Sequence, residues 1–205
     1  MESPAVSDAL LRYEASREEW NRPDEVISAL GIGKGGTVAD IGAGAGYFTL
    51  KLSRTVGRLG VVYAVDVNPT AVGDLKARIA TSQLTNVRVI QGRINDPGLP
   101  RGLLDAVLIS DAYHEMVEYA AILRAVRLSL RPTGRLVILE KMTPRYEGKT
   151  RDAQVRSHHI ASSLVASELA EAGFTVIGQI EIFAEVPKTY GGDVYWRIIA
   201  VPISR

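Results

Sequence analysis

Short apolar runs recur along the chain, separated by segments whose apolar residues repeat at helical spacing. Thr37–Ile41, 61–65, Val87–Gln91, Leu104–Ser110 and 135–140 are rich in Val, Ile and Leu without a polar alternate face. Such runs suit strands buried on both sides. Residues 47–55, 69–80 and 117–130 carry helical patterns between them. Pro69 follows Asn68, which suits a proline in the first turn behind a cap, and Arg131-Pro132-Thr133-Gly134 ends the helix before the fifth strand. Strands alternating with helices predict an α/β fold with a mostly parallel sheet covered on both faces.

Two stretches depart from this alternation. Between Gln91 and Leu104 the chain carries Pro97, Gly98, Pro100 and Gly102, so little helix is expected. About 12 extended residues reach roughly 40 Å, and three strand spacings take only about 15 Å. The chain can thus cross from one edge of the sheet to the far side of the first strand, which puts a topological switch point, a usual ligand site, beside that strand. Near the end, Ile160, Leu164, Val165 and Leu169 mark a helix that Gly173 stops. Phe174–Glu185 and 194–201 then read as strands, and the short link 187–193 can join them only as an antiparallel hairpin. Residues 1–22, with Leu10, Leu11, Tyr13 and Trp20 among many charges, predict an amphipathic helix packed on the domain, and Pro23–Leu30 a second helix.

Composition narrows the functions. A chain of 205 residues with 46% hydrophobic and 23% charged residues suits one globular domain. Its net charge of +1 and lack of an added binding module weigh against nucleic acid as a partner. The absence of cysteine excludes disulfides, thiolate metal sites, cysteine nucleophiles and arsenic chemistry through thiolates, and it suits a cytoplasmic protein. The first twenty residues lack an uninterrupted apolar stretch, so no signal peptide is expected, and no run reaches the roughly 20 apolar residues of a membrane helix.

The most informative motif is Asp40-Ile41-Gly42-Ala43-Gly44-Ala45-Gly46, between the first strand and the helix beginning near Tyr47. Glycines let backbone approach a ligand closely, and the helix start points free amides toward it. Two cofactor classes compete. A dinucleotide site wants G-x-G-x-x-G, but Tyr47 occupies the third glycine position. The acid two residues before Gly42 suits a ligand with a cationic amino group better than a pyrophosphate. Asp66, ending the second strand 20 residues after Gly46, can accept hydrogen bonds from ribose hydroxyls in either class.

This G-x-G-x-G behind an acid resembles motif I of the class I S-adenosylmethionine-dependent methyltransferases. The resemblance extends over nearly the whole chain. Gln91-Gly92-Arg93-Ile94-Asn95-Asp96 stands where that family holds adenine. Leu104–Ser110 with Asp111 resembles motif IV, and Leu130-Arg131-Pro132-Thr133-Gly134-Arg135-Leu136 resembles its "LKPGGRL" turn. Asp111-Ala112-Tyr113-His114-Glu115 is similar to the "DVYHH"-like stretch of small bacterial members. The resemblance implies a Rossmann-like seven-stranded sheet in the order 3-2-1-4-5-7-6, with a lid-like helical extension over 1–30 and the methyltransferase domain over 31–205. It implies S-adenosylmethionine as cofactor, giving S-adenosylhomocysteine, with contacts from Asp40, Gly42, Gly44, Gly46, Tyr47, Asp66, Val67, Ile94, Asn95 and Ser110. A small-molecule acceptor follows, and a homodimer is compatible.

For chemistry, His114, Asp111 and Tyr113 are the expected catalytic residues. All three histidines, His114, His158 and His159, fall in two segments that border the acceptor side in this architecture. Histidine titrates near neutral pH, so His114 suits a general base, and it equally suits a hydrogen-bonded structural residue. His158 and His159 read first as surface or capping residues. A metal site from His114, His158 and Glu115 or Asp111 lacks a characteristic ligand spacing, so none is assigned. The N/D-P-P-Y stretch of adenine and glutamine methylation is absent. Lys141, Arg145, Lys149, Arg151 and Arg156 could meet an anionic acceptor or form a solvated loop. Tyr13 and Trp20 could close over a cofactor or anchor the core. A nicotinamide-dependent oxidoreductase and a non-catalytic S-adenosylmethionine-binding protein are the competing functions.

Overall fold

The structure, a computed structural model, describes residues 7–203. Seven strands form one sheet in the order β3-β2-β1-β4-β5-β7-β6. They are β1 (Thr37–Ile41), β2 (Val61–Asp66), β3 (Val87–Gln91), β4 (Leu104–Ser110), β5 (Leu130–Met142), β6 (Phe174–Glu185) and β7 (Val194–Pro202). The first five pair in parallel, and β7 runs antiparallel to both β5 and β6. The crossing from β3 to β4 has no helix, and its one pairing is an isolated bridge between Arg93 and Asp96. The switch point therefore lies between β1 and β4, as the proline- and glycine-rich link predicts.

Alternation along the strands builds a core on each face. Val38, Ala106, Leu108, Val137 and Leu139 pack with α2 (Pro23–Leu30) and α3 (Tyr47–Val56). Their neighbours Ala39, Ile41, Val107, Ile109, Leu136 and Ile138 pack with α5 (Tyr119–Ser129) and α7 (Ser162–Glu171). Between these helices in sequence lie α4 (Pro69–Thr81), which covers the β2–β3 side, and the short α6 (Arg151–Val155). Asn68 caps α4 as expected, accepting from the amides of Thr70 and Ala71.

Several boundaries move. The helix expected over 117–130 starts at Tyr119, preceded by a 3-10 turn over Tyr113–Glu115. The fifth strand is longer than 135–140, because Leu104 pairs with Leu130 before the ladder resumes at Ala106 and Arg135. Ile160 is buried but precedes α7, so its helical spacing was coincidental.

The N-terminal helix α1 (Asp8–Asn21) is not amphipathic in the expected sense. Leu11 and Tyr13 are exposed, and only Trp20 and Asn21 are buried. Trp20 is a core anchor beside Leu30 and Phe48. Ions hold the rest of the helix. Glu14 makes two hydrogen bonds to the Arg78 guanidinium, at 2.6 and 2.7 Å. Glu18 meets Lys51 at 2.6 Å and accepts from the Tyr47 hydroxyl at 3.0 Å, and Arg17 meets Asp111 at 3.2 Å. The predicted segment 1–22 also included residues 1–6, which lie outside the described residues. Among the described residues no helix is long and apolar enough to cross a membrane.

Candidate functional site

The loop between β1 and α3 folds back on the sheet. The amides of Gly42 and Ala43 both donate to the Val65 carbonyl, at 2.9 and 3.0 Å. Gly42 sits at φ +76°, and a β-carbon there would overlap the Ala112 methyl, so only glycine fits without rearrangement. Gly44, at φ +51°, has open space where its side chain would be. Its amide donates to Asp66 Oδ2 at 2.9 Å, while Asp66 Oδ1 accepts from the Asn68 amide at 2.9 Å. The carboxylate at the end of β2 is thereby locked by two backbone donors.

Two clefts open on this loop. One, of about 300 Å³, is mainly apolar, with walls that include Ile41, Val65, Val67, Ile94, Pro97 and Met116 and with Asp66 on its edge. The other, of about 210 Å³, is charged, with Glu14 and Arg17 from α1 facing Asp40, Ser110 and Asp111. Gly42, Gly44 and Asp111 belong to both. The buried Ser110 hydroxyl on the second cleft has no hydrogen-bond partner, an unusual state for a buried polar atom.

Of the residues expected to hold the cofactor, Asp66, Val67 and Ile94 line the apolar cleft. Asp40, Tyr47 and Ser110 line the charged one, and Gly42 and Gly44 line both. Gly46 lies at the start of α3 against Leu75, and Asn95 is exposed outside both walls. Asp40 is buried and accepts from Thr49 Oγ1 at 2.6 Å. Burial raises its pKa to about 6, against the opposing pull of the Thr49 hydrogen bond and Arg17. The ring of Tyr47 lies 4.4 Å beneath the Arg17 guanidinium.

The expected catalytic residues separate. Asp111 stands at the meeting of the clefts with φ +51° and accepts from the Tyr195 hydroxyl at 2.7 Å. Burial and the charge of Glu140 push its pKa up, against Arg17. Tyr113 does not face either cleft. It is fully buried in the core and donates its hydroxyl to Glu168 at 2.7 Å, because the 3-10 turn rotates it inward.

His114 is also buried, beside Glu115 on the cleft wall. Glu140, completely buried two residues before the end of β5, accepts from the amides of Tyr113 and His114 at 2.6 and 3.2 Å and pairs with His114 Nδ1 at 2.9 Å. Burial disfavours a charged imidazole here, but the Glu140 hydrogen bond and the nearby carboxylates outweigh it and raise the His114 pKa. The ring of His158 stands edge-on to His114 at 5.6 Å, whereas His159 turns away to Asp193 at 3.0 Å. Arg151 of the basic run pairs with Glu168, and Lys141 approaches Asp193 at 3.9 Å.

Sequence reasoning missed Glu140, Arg17 and Glu14. A carboxylate closing the apolar run Leu136-Val137-Ile138-Leu139 was the available signal for the first. Leu10, Glu14 and Arg17 recur at one-turn spacing on one face of α1, which was the signal for the others.

Known proteins share this fold. Residues 32–173, more than half of the chain, match the family model described as a methyltransferase domain. The chain is 30% identical over 153 residues to a ubiquinone/menaquinone biosynthesis C-methyltransferase, UbiE, of Escherichia fergusonii. That alignment covers 73% of this chain and 60% of the relative, so the chain spans about 60% of the length of the curated relative it matches. The structure of a SAM-dependent methyltransferase from Aquifex aeolicus superposes with a TM-score of 0.76 at 28% identity, covering 92% of this chain and 93% of that one. The glycopeptide N-methyltransferase MtfA, solved with S-adenosyl-L-methionine, shares the fold with a TM-score of 0.66 at 18% identity over 89% of this chain and 87% of its own. The chain belongs to the methyltransferase domain family, within the class I S-adenosylmethionine-dependent methyltransferases.

Proposed function

We propose that the protein transfers a methyl group from S-adenosylmethionine to a small-molecule acceptor that must lose a proton. The observation that carries this reading is the pair of clefts joined at Gly42, Gly44 and Asp111, one apolar with a carboxylate on its edge and one bearing both signs of charge. An elongated ligand with an adenosine at one end and a zwitterion at the other fits that pairing. Asp66 would hold the ribose, and Val67 and Ile94 would flank the base. Asp40 would face the ammonium, and Arg17 the carboxylate. The orphaned Ser110 hydroxyl gains a partner in such a complex. S-adenosylmethionine, when bound, supplies a methyl group on a cationic sulfur.

The chain's own part is to bind, align and deprotonate. In-line approach of acceptor and methyl is the main contribution, and a base adds to it where the acceptor holds a proton. Asp111 borders the acceptor end, His114 serves the acceptor's deprotonation, and Glu140 and Tyr113 position them. The C-methyltransferase among the relatives supports an acceptor of this kind. In this reading α1 is a lid fastened by its ion pairs, residues 1–30 form the extension, and the protein works in the bacterial cytoplasm without nucleic acid. Radiolabelled S-adenosylmethionine offered with a panel of phenols and enols tests the reading. Label should pass to at least one class, and His114→Ala should slow transfer by roughly 10²–10⁴-fold with cofactor affinity intact. Cofactor binding without transfer to any member would favour a non-catalytic binding protein.

A pH dependence follows from Asp40. Its carboxyl must be ionised to face an ammonium, and burial holds its pKa at about 6. Protonation therefore competes with the cofactor as the pH falls through that value. Affinity for S-adenosylmethionine should drop about tenfold from pH 7 to pH 5. In Asp40→Asn the curve should be flat across that range, which calorimetry at several pH values measures.

A further inference from the structure

We propose that His114, His158 and Glu115 hold a divalent transition-metal cation at the acceptor end of the site. The proposal rests on the methyltransferase reading and says how the acceptor's proton is lost. One ligand atom from each of the three residues lies within 4.8 Å of the others.

The argument begins at Glu140. Its Oε2 lies 2.9 Å from His114 Nδ1, so a hydrogen on Nδ1 directed at Glu140 leaves Nε2 as the ring's free nitrogen, where a cation can take the place of a proton. That nitrogen lies 3.8 Å from Glu115 Oε1, too far for a hydrogen bond. A ring nitrogen and a carboxylate oxygen facing each other at this distance leave room for a cation between them. His158 supplies a further imidazole next to the first. Carboxylate, histidine and metal in series is the usual way a ligating ring is oriented and made more basic.

The donor set selects the ion. Two imidazoles and one carboxylate suit zinc, cobalt or another borderline dication better than magnesium or calcium, which prefer oxygen throughout. Ligands on one such ion, with bonds of about 2.0–2.2 Å, sit roughly 3–4 Å apart, so closure asks about 1 Å of movement. His158 and Glu115 are exposed and free to make it, while His114 is fixed. The carboxylates of Asp111, Glu115 and Glu140 supply negative charge around the ion, of which Arg17 offsets part at Asp111.

Glu115 lines the apolar cleft together with Asp111, Ala112, Met116 and Val117, so open coordination positions would face the part of that cleft beside these residues rather than the Val67 and Ile94 wall given to the base. They suit an acceptor hydroxyl, best with a second oxygen beside it. Coordination lowers the hydroxyl's pKa. The O–H bond breaks, its electron pair stays on oxygen, the proton passes to solvent, and no electron is exchanged with the metal.

The test uses full-length protein without a histidine tag, dialysed against chelator. Zinc chloride alone is titrated by calorimetry, and cobalt chloride is followed by its visible absorption. One equivalent should bind. His158→Ala and Glu115→Gln, both at exposed side chains, should each weaken binding at least about tenfold with unchanged melting temperature. His159→Ala, whose ring is engaged by Asp193, should bind as the parent does. Absent stoichiometric binding, or affinity unchanged in both site variants, or equal loss in His159→Ala, overturns the site. S-adenosylmethionine is titrated into the same samples. Intact cofactor binding with no metal binding overturns the metal site alone, and lost cofactor binding in the parent overturns the methyltransferase reading.

Discussion

Replacing Glu140 by alanine should cost about 3–5 kcal/mol of stability, the range for removing one partner of a buried ionic contact. Three donors converge on this fully buried carboxylate: the amides of Tyr113 and His114, and the His114 ring. Alanine leaves all three unpaired, and each buried unpaired donor costs about 1–3 kcal/mol before relaxation. In a chain of this size the melting temperature should fall by roughly 10 °C or more. Glu140→Gln should be milder, since its carbonyl can still accept from both amides. It also offers an amide hydrogen to Nδ1, which moves the ring proton to Nε2. NMR of the ring nitrogens should show that tautomer change, a readout that lost packing alone would not produce. A Glu140→Ala protein within about 1 kcal/mol of the parent would remove Glu140 as the anchor of this turn.

Asp66→Ala should lower affinity for S-adenosylmethionine by at least tenfold and by as much as several hundredfold. Hydrogen bonds to a charged group are worth about 1.5–3 kcal/mol each, and about 1.4 kcal/mol is tenfold in affinity. The carboxylate is oriented in advance by the Gly44 and Asn68 amides, so little binding energy goes into ordering it. Alanine also frees the Gly44 amide and loosens the glycine loop. Asp66→Asn separates the two effects, because its carbonyl keeps one backbone donor while the negative charge is gone. Folding should change little in either variant, since the contact is partly solvated. An unchanged dissociation constant in Asp66→Ala would take the ribose role away from this residue.

Most of the fold was legible because local chemistry and topology agreed. The apolar runs could be buried only in a covered sheet, the link after Gln91 was too poor in helix formers for a crossover helix, and the link 187–193 allowed only a hairpin. The glycine loop was legible from its G-x-G-x-G spacing behind an acid, although the groups that require glycine there, Ala112 against Gly42 and Leu75 against Gly46, lie far away in sequence. What escaped is long-range. Glu14 with Arg78, Arg17 with Asp111, and Glu140 with His114 join residues far apart in sequence, and no periodicity marks such pairs. The helix over 8–21 looked amphipathic because it contains Leu and Trp, yet charges dock its outer part. Tyr113 shows the limit at a single residue. Its place after β4 was evident, but the direction of its side chain depended on a single 3-10 turn.

The most direct test of the central claim is calorimetric titration of the parent protein at pH 7 with S-adenosylmethionine, S-adenosylhomocysteine and NAD in turn. The two adenosyl ligands should each bind one to one, and NAD should give no heat of binding. Tight binding of NAD with no response to either adenosyl ligand would contradict the account.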